Sequence, residues 1–169
     1  MLQQQAQVTW EETMKGNKQV IKTLNVLLAD ELTAINQYMV HSEMCANWQY
    51  EKLHKAIEKR AIQEMKHAEK LIARILFLEG NPTVSQLGEI RIGPDVAAQF
   101  GIDHQAEVGA IAAYNAAIKQ AVDAKDNGTR ELLEGILTDE EDHIDWIEAQ
   151  QDQIRQMGIQ MYLAEQLGS

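Results

Sequence analysis

This chain has little that could cross-link it or interrupt it. Its 169 residues include one cysteine, Cys45, so it can form no internal disulfide and build no cysteine-rich metal site. There are two prolines, Pro82 and Pro94, and aromatics make up 5% of residues. Sheets draw on aromatic and β-branched side chains. The scarcity of aromatics, with apolar content carried mostly by Ala, Leu and Ile, favours helices. No apolar run reaches the roughly 20 residues of a membrane-spanning helix. The glutamine-rich start, residues 1–13, lacks the apolar stretch of a signal peptide and reads as an extension ahead of one domain at 14–169. Cations are also short: 15 Lys and Arg stand against 26 Asp and Glu, a formal net charge of -11. Phosphate backbones need basic clusters, so nucleic acid is not expected as a partner, whereas an acidic chain attracts cations. A single thiol fits a cytoplasmic location.

The chain does have long stretches of helical periodicity. Ile21, Leu24, Leu27, Leu28, Ala34, Ile35 and Tyr38 predict one helix from Asn17 to about Asn47. A second is expected from about Trp48 to Glu79, stopped by Gly80, Asn81 and Pro82. A loop over 81–93 follows. Pro94 and Asp95 fit the first turn of a third helix that lasts to about Lys125. Asp126, Asn127 and Gly128 read as a turn, and a fourth helix runs from about Thr129 to Met157. Gly158 ends it, and a short last helix follows to Leu167. Two short connections and one long one give an all-α four-helix bundle with a long crossover connection and a short fifth C-terminal helix. An extended loop of this length reaches roughly 45 Å, enough to run beside a 30-residue helix of about the same length.

Two Glu-x-x-His motifs lie on these helices, Glu64 with His67 and Glu140 with His143. Residues three apart share a helix face, so each pair can grip one metal ion. A lone copy arises easily on a charged helix surface. The arrangement here is doubled: Glu31 precedes Glu64 by 33 residues, and Glu107 precedes Glu140 by the same 33. One offset of 76 relates Glu31 to Glu107, Tyr38 to Tyr114, Glu64 to Glu140 and His67 to His143, an internal pseudo-repeat. In an antiparallel hairpin, residues equidistant from the turn lie at one height. The midpoint of Glu31 and Glu64 falls between Asn47 and Trp48, and that of Glu107 and Glu140 at Asp123 and Ala124, both close to expected turns. Packing the two hairpins together would set all six side chains at one level.

Each carboxylate has apolar neighbours, such as Leu27, Leu28 and Ile35 near Glu31 and Ile57, Ala61 and Leu71 near Glu64. A buried, unpartnered carboxylate is costly, so these side chains need a metal or another partner. Four carboxylates balance two divalent ions, and an oxygen-rich set with one imidazole per ion suits iron or manganese. Bridging carboxylates would hold the ions about 3.5–4 Å apart. Successive helix residues turn by about 100°, so with Glu64 and His67 facing inward, Met65 points aside. Ile62, Met65, Ile72 and Leu76 form a second apolar stripe there, matched by Leu32, Ile35 and Met39 on the first helix. Such stripes outside the core predict a subunit interface, with Met65 by itself reading as filler. His41, His54 and His104 have no partner at metal spacing and read as surface histidines. Cys45 reads as a packing residue, Met39 and Met44 as core or interface filler, and Trp48 and Trp146 as packing at helix ends or interfaces.

On Glu31-Leu32-Thr33-Ala34-Ile35-Asn36-Gln37-Tyr38, Glu64-Met65-Lys66-His67-Ala68, Arg74-Ile75-Leu76-Phe77-Leu78-Glu79-Gly80 and Asp139-Glu140-Glu141-Asp142-His143-Ile144-Asp145-Trp146, the chain resembles the bacterioferritins. The resemblance runs from about Met14 to Leu163. It implies a ferritin-like fold and a ferroxidase that oxidises Fe(II) with O2 or peroxide at a centre of two iron ions per subunit. It implies mineral storage in a hollow homo-oligomeric shell, a 24-mer of about 24 chains built from dimers. By the same resemblance, Glu31 and His67 hold one iron, Glu107 and His143 the other, and Glu64 and Glu140 bridge them, with Tyr38 beside the centre. Haem b, one per subunit pair, would be ligated by Met65 from each of two chains, and a ferredoxin-type reductant would serve iron release. At Lys59 and Gln63 the chain departs from relatives that carry His and Asp on the inner surface, so no auxiliary iron site is expected there. The competing reading is a di-iron peroxidase or oxidase of rubrerythrin type without storage. Such proteins usually add a domain with paired Cys-x-x-Cys motifs, and the single cysteine counts against that. A metal-free helical bundle is the third reading, which the doubled pattern disfavours.

Overall fold

The computed structural model describes residues 16–168, and the expected extension at 1–13 lies outside them. The described residues form five helices: α1 Lys18–Asn47, α2 Glu51–Phe77, α3 Val96–Asp123, α4 Asn127–Met157 and α5 Ile159–Glu165. No strand occurs among them. The expected all-α bundle with a crossover and a short fifth helix is what forms. Helix starts follow side-chain capping: Asn17 accepts from the Gln19 and Val20 amides, Asp95 from Ala98 and Asp126 from Thr129.

Caps also explain where the boundaries differ from expectation. Trp48 caps α1 and Gln49 takes a positive φ of 67°, so α2 starts at Glu51 rather than Trp48. Asp95 caps α3, which starts at Val96, after Pro94. The second turn was expected at Asp126, Asn127 and Gly128. Instead Asp126 caps α4, Asn127 and Gly128 are helical, and Lys125 carries the positive φ of 58°. Gln49 and Lys125 are themselves related by the offset of 76, so the pseudo-repeat extends to the backbone of the turns.

Two apolar clusters fill the bundle, one toward each end. The first includes Leu24, Leu28, Leu71, Ile75, Leu133 and Ile136, and the second Cys45, Leu53, Ile57, Phe100, Ile147 and Tyr162. Burying each large aliphatic or aromatic side chain is worth about 1.5–3 kcal/mol. On every long helix the glutamates and histidines of the two motifs fall between the residues of one cluster and those of the other. The apolar ends thus offset the cost of a polar layer in the middle.

The crossover, residues 78–95, runs alongside α1 and in its direction. A ladder of α1 side chains receives its amides: Asn25 Oδ1 from Thr83 at 2.7 Å, Thr33 Oγ1 from Gly88 at 2.8 Å, Gln37 Oε1 from Arg91 at 3.1 Å and His41 Nε2 from Gly93 at 3.1 Å. Gly93 is required at its place, since a Cβ there would lie 2.5 Å from the Gln99 backbone nitrogen. His41 is therefore not a surface residue as expected. It is fully buried, with Nδ1 3.0 Å from Asp103 Oδ2 on α3, while Gln37 donates to Asp103 Oδ1 at 2.8 Å. This buried network ties α1, α3 and the end of the crossover together.

Candidate metal centre

The structure brings Glu31, Glu64, His67, Glu107, Glu140 and His143 to one level between the apolar clusters. All four carboxylates and His67 are buried, and His143 is nearly so. Each helix supplies its share by the spacing read in the sequence: α1 and α3 one glutamate each, α2 and α4 one Glu-x-x-His each. Candidate ligand atoms gather in two sets, each spanning no more than 4.8 Å: Glu31, Glu64, His67 and Glu140, and Glu64, Glu107 and His143. His67 Nδ1 lies 3.1 Å from Glu64, 3.0 Å from Glu140 and 3.6 Å from Glu31. His143 Nδ1 lies 2.9 Å from Glu107.

Surrounding groups fix these side chains. The Tyr114 hydroxyl donates to Glu31 and the Tyr38 hydroxyl to Glu107, a reciprocal pair that follows the pseudo-repeat. Tyr38 also meets the His143 ring edge-on at 5.4 Å, and Trp146 stacks on that ring at 6.0 Å. On the far side of His67, Nε2 lies 3.0 Å from Asp139 Oδ2. A carboxylate on the outer nitrogen of a ligating imidazole orients the ring and raises its basicity.

Sequence reasoning missed Asp139, and it missed Arg60. The Arg60 guanidinium is buried in the same layer. Its terminal nitrogen donates to Glu140 and, at 3.3 Å, to Glu107, and its Nε lies 2.6 Å from Glu64 Oε1. The available signal was position: Arg60 is four residues before Glu64, on the same helix face.

The electrostatics reflect four buried carboxylates crowded together. Burial, reinforced by neighbouring carboxylates, pushes the Glu64 and Glu140 carboxyls above the usual range. Burial would raise Glu107 as well, but hydrogen bonds from His143 and Glu140 and the charge of Arg60 draw it below. Burial alone would lower His67, yet its bonds to Glu140, Glu31 and Glu64 carry it up to about 12. Burial also raises Tyr38 and Tyr114 well above their ordinary value, with Glu107 and Glu31 respectively adding to the rise. Three ligand-type atoms, Glu64 Oε1, Glu140 Oε1 and His143 Nδ1, are fully buried and meet other members of the layer: Arg60 Nε at 2.6 Å, His67 Nδ1 at 3.0 Å and Glu107 Oε1 at 2.9 Å. That donor set fits a hard divalent cation.

A cavity of about 340 Å³ leads to Glu31, Glu64, Glu107 and Glu140 from the side of the crossover, past Asp30, Glu89 and Gln105. A second, shallower groove of about 240 Å³ lies on the outer side of α1 and α2, between Ile35, Met39, Ser42, Glu58, Ile62 and Met65. Met65 is 41% exposed there, and Met39, Ile62 and Leu76 are exposed too, whereas Leu32, Ile35 and Ile72 of the expected stripes are half-buried against the first cluster. His104 is partly exposed and pairs with Glu148, and His54 is half-buried against Ser42. Cys45 is buried and packs in the second cluster, as expected. Lys59 is exposed and Gln63 half-buried. Among the described residues no helix is long and apolar enough to cross a membrane.

Comparison with known proteins agrees with this architecture. Residues 21–157 match the ferritin-like domain family. The chain is 37% identical to a bacterioferritin of Mycobacterium leprae over 152 residues, 90% of this chain and 96% of the relative. It is 40% identical to one of Rhodobacter capsulatus over 137 residues, 81% of this chain and 85% of the relative. With one of Streptomyces coelicolor the identity is 38% over 151 residues, 89% and 90% of the two chains.

Proposed function

The chain belongs to the bacterioferritin family, and from that premise we propose that it is a ferroxidase that stores iron. Fe(II) is the substrate. One ion takes Glu31 and His67, the other Glu107 and His143, with Glu64 and Glu140 between them. The observation that carries this reading is the convergence of four carboxylates and two imidazoles in one buried layer, with candidate ligand atoms gathered in two sets that each span no more than 4.8 Å. Iron reaches them through the acidic cavity beside the crossover. A pair of Fe(II) ions yields two electrons, enough to reduce one O2 to hydrogen peroxide or one peroxide to water, with two protons taken up. Tyr38, bonded to Glu107 and packed on His143, touches the oxidation site and holds Glu107 in place. The Fe(III) product collects as mineral in a shell of about 24 copies built from dimers, from which a ferredoxin-type reductant releases it.

The outer groove fits half of a haem site. Its lining is mostly apolar, it stays exposed in the single chain, and Met65 presents a thioether of the kind that ligates low-spin haem iron. Met65 of two symmetric copies would hold one haem b, with Met39 and Ile62 excluding water from its faces. When bound, the haem supplies a one-electron redox group at the interface.

Sizing and iron loading test the reading together. The purified protein is expected to run as a shell of several hundred kilodaltons, to oxidise added Fe(II), and to retain the iron through gel filtration. A dimer that oxidises iron without retaining it would favour the rubrerythrin-like alternative.

Metal binding should depend on pH in a defined direction. Glu64, Glu140 and His67 have raised pKa values in the metal-free centre, so near neutral pH they hold protons that a bound cation must displace. Binding therefore releases protons, and affinity strengthens as pH rises. Calorimetric titration with Co(II) in buffers of different ionisation enthalpy, from about pH 6 to about pH 8, checks this. Net proton uptake, or an affinity that does not change with pH, would contradict it.

A further inference from the structure

The internal symmetry of the centre breaks at Arg60. Under the offset of 76 its counterpart is Ile136, which is fully buried in the first apolar cluster. Where one half of the pseudo-repeat places an aliphatic side chain, the other places a cation that is 4% exposed. Its three carboxylate contacts are Glu64, Glu107 and Glu140, the same three assigned above to the second ion. None of its contacts is with Glu31 or His67. The ligand sets carry the same asymmetry: Glu140 joins Glu31, Glu64 and His67 in the first but is missing from the second, and its Oε2 is bonded to Arg60.

We propose that Arg60 is a placeholder cation for the second metal position. The first divalent ion binds with Glu31, Glu64, His67 and Glu140, and the second enters only by displacing the guanidinium. Charge supports this. Two divalent ions cancel four carboxylates, whereas two divalent ions with the guanidinium retained leave an excess positive charge packed within a few ångströms. Arg60 also takes up the oxygens the second ion needs, so ion and guanidinium compete for the same lone pairs. The reduced charge of the empty centre is a second consequence: with Arg60 in place, the carboxylate layer is partly neutralised before any metal arrives.

This inference rests on the metal-centre reading, and its test separates the two. Anaerobic Co(II) titration of the assembled protein, followed by calorimetry and visible absorbance, is expected to show one tight ion per chain and a second bound about tenfold or more weaker. In Arg60→Gln, which keeps side-chain N–H donors but loses the charge, the second ion should come within about threefold of the first. Glu107→Gln in the otherwise unchanged chain should leave the tight phase intact and remove the weak one, which keeps the proposal testable if Arg60→Gln fails to fold. Two ions of equal affinity in the unaltered protein would overturn the role of Arg60 while leaving the metal centre standing. So would a tight phase weakened by Glu107→Gln. A protein that binds no Co(II) would overturn both.

Discussion

Replacing Glu31 or Glu140 with alanine is expected to slow Fe(II) oxidation by at least about 100-fold, because even the outer partners of metal ligands typically cost 10–100-fold when removed. The fold should survive. Glu31 and Glu140 sit in a layer flanked by two apolar clusters that neither residue builds. Removing one of four crowded carboxylates also relieves repulsion that burial has made expensive. What is lost locally differs between the two. Glu31→Ala leaves the Tyr114 hydroxyl without its acceptor, and Glu140→Ala takes one of three carboxylates from Arg60. Stopped-flow oxidation measured alongside far-ultraviolet circular dichroism and size gives the result. Unchanged kinetics in both variants would remove these residues from the site.

The second large effect is all-or-none. Met65→Leu is expected to abolish haem binding while the assembly and its ferroxidase rate persist. Leucine nearly conserves the volume and apolarity that Met65 contributes to the outer groove, so the interface should tolerate it. It removes the sulfur, which is the one feature a haem iron requires of this position. Glu64 and His67 lie on the inward face of α2, buried where Met65 is exposed, and should not register the change. Visible absorbance per subunit pair, before and after reconstitution, checks the outcome. Full occupancy with an unaltered spectrum in Met65→Leu would refute the ligand assignment.

The six-residue layer was legible in the sequence because it rests on periodicity alone. Glu-x-x-His spacing sets each pair on one helix face, and equal separations set each hairpin in register. The parts that were not legible depend on pairings between distant segments or on exceptions to burial rules. His41 lacks a partner at metal spacing, and its actual partner, Asp103, comes from α3, with the Gly93 amide completing the set. Arg60 was passed over because a charged side chain is normally exposed, and what allows its burial is three carboxylates brought together by the whole bundle. At the second turn, the glycine at 128 suggested the wrong residues. The capping strength of Asp126, which accepts from both the amide and the hydroxyl of Thr129, decided where α4 begins.

The ladder between α1 and the crossover bears on the order in which the chain folds. Each hairpin pairs neighbouring helices across a short turn, so α1 with α2 and α3 with α4 can form from local contacts. Joining the hairpins is harder, since two halves that each expose carboxylates must be brought face to face. Once Asn25, Thr33, Gln37 and His41 have captured the crossover amides, that segment becomes a short tether laid along α1. It delivers the start of α3 to the far end of α1 and leaves α3 no direction but antiparallel. The docked crossover shortens the tether between the hairpins, which raises the effective concentration of one for the other and holds them in one register, so that a chain with a charged interior is kept from assembling its halves out of step.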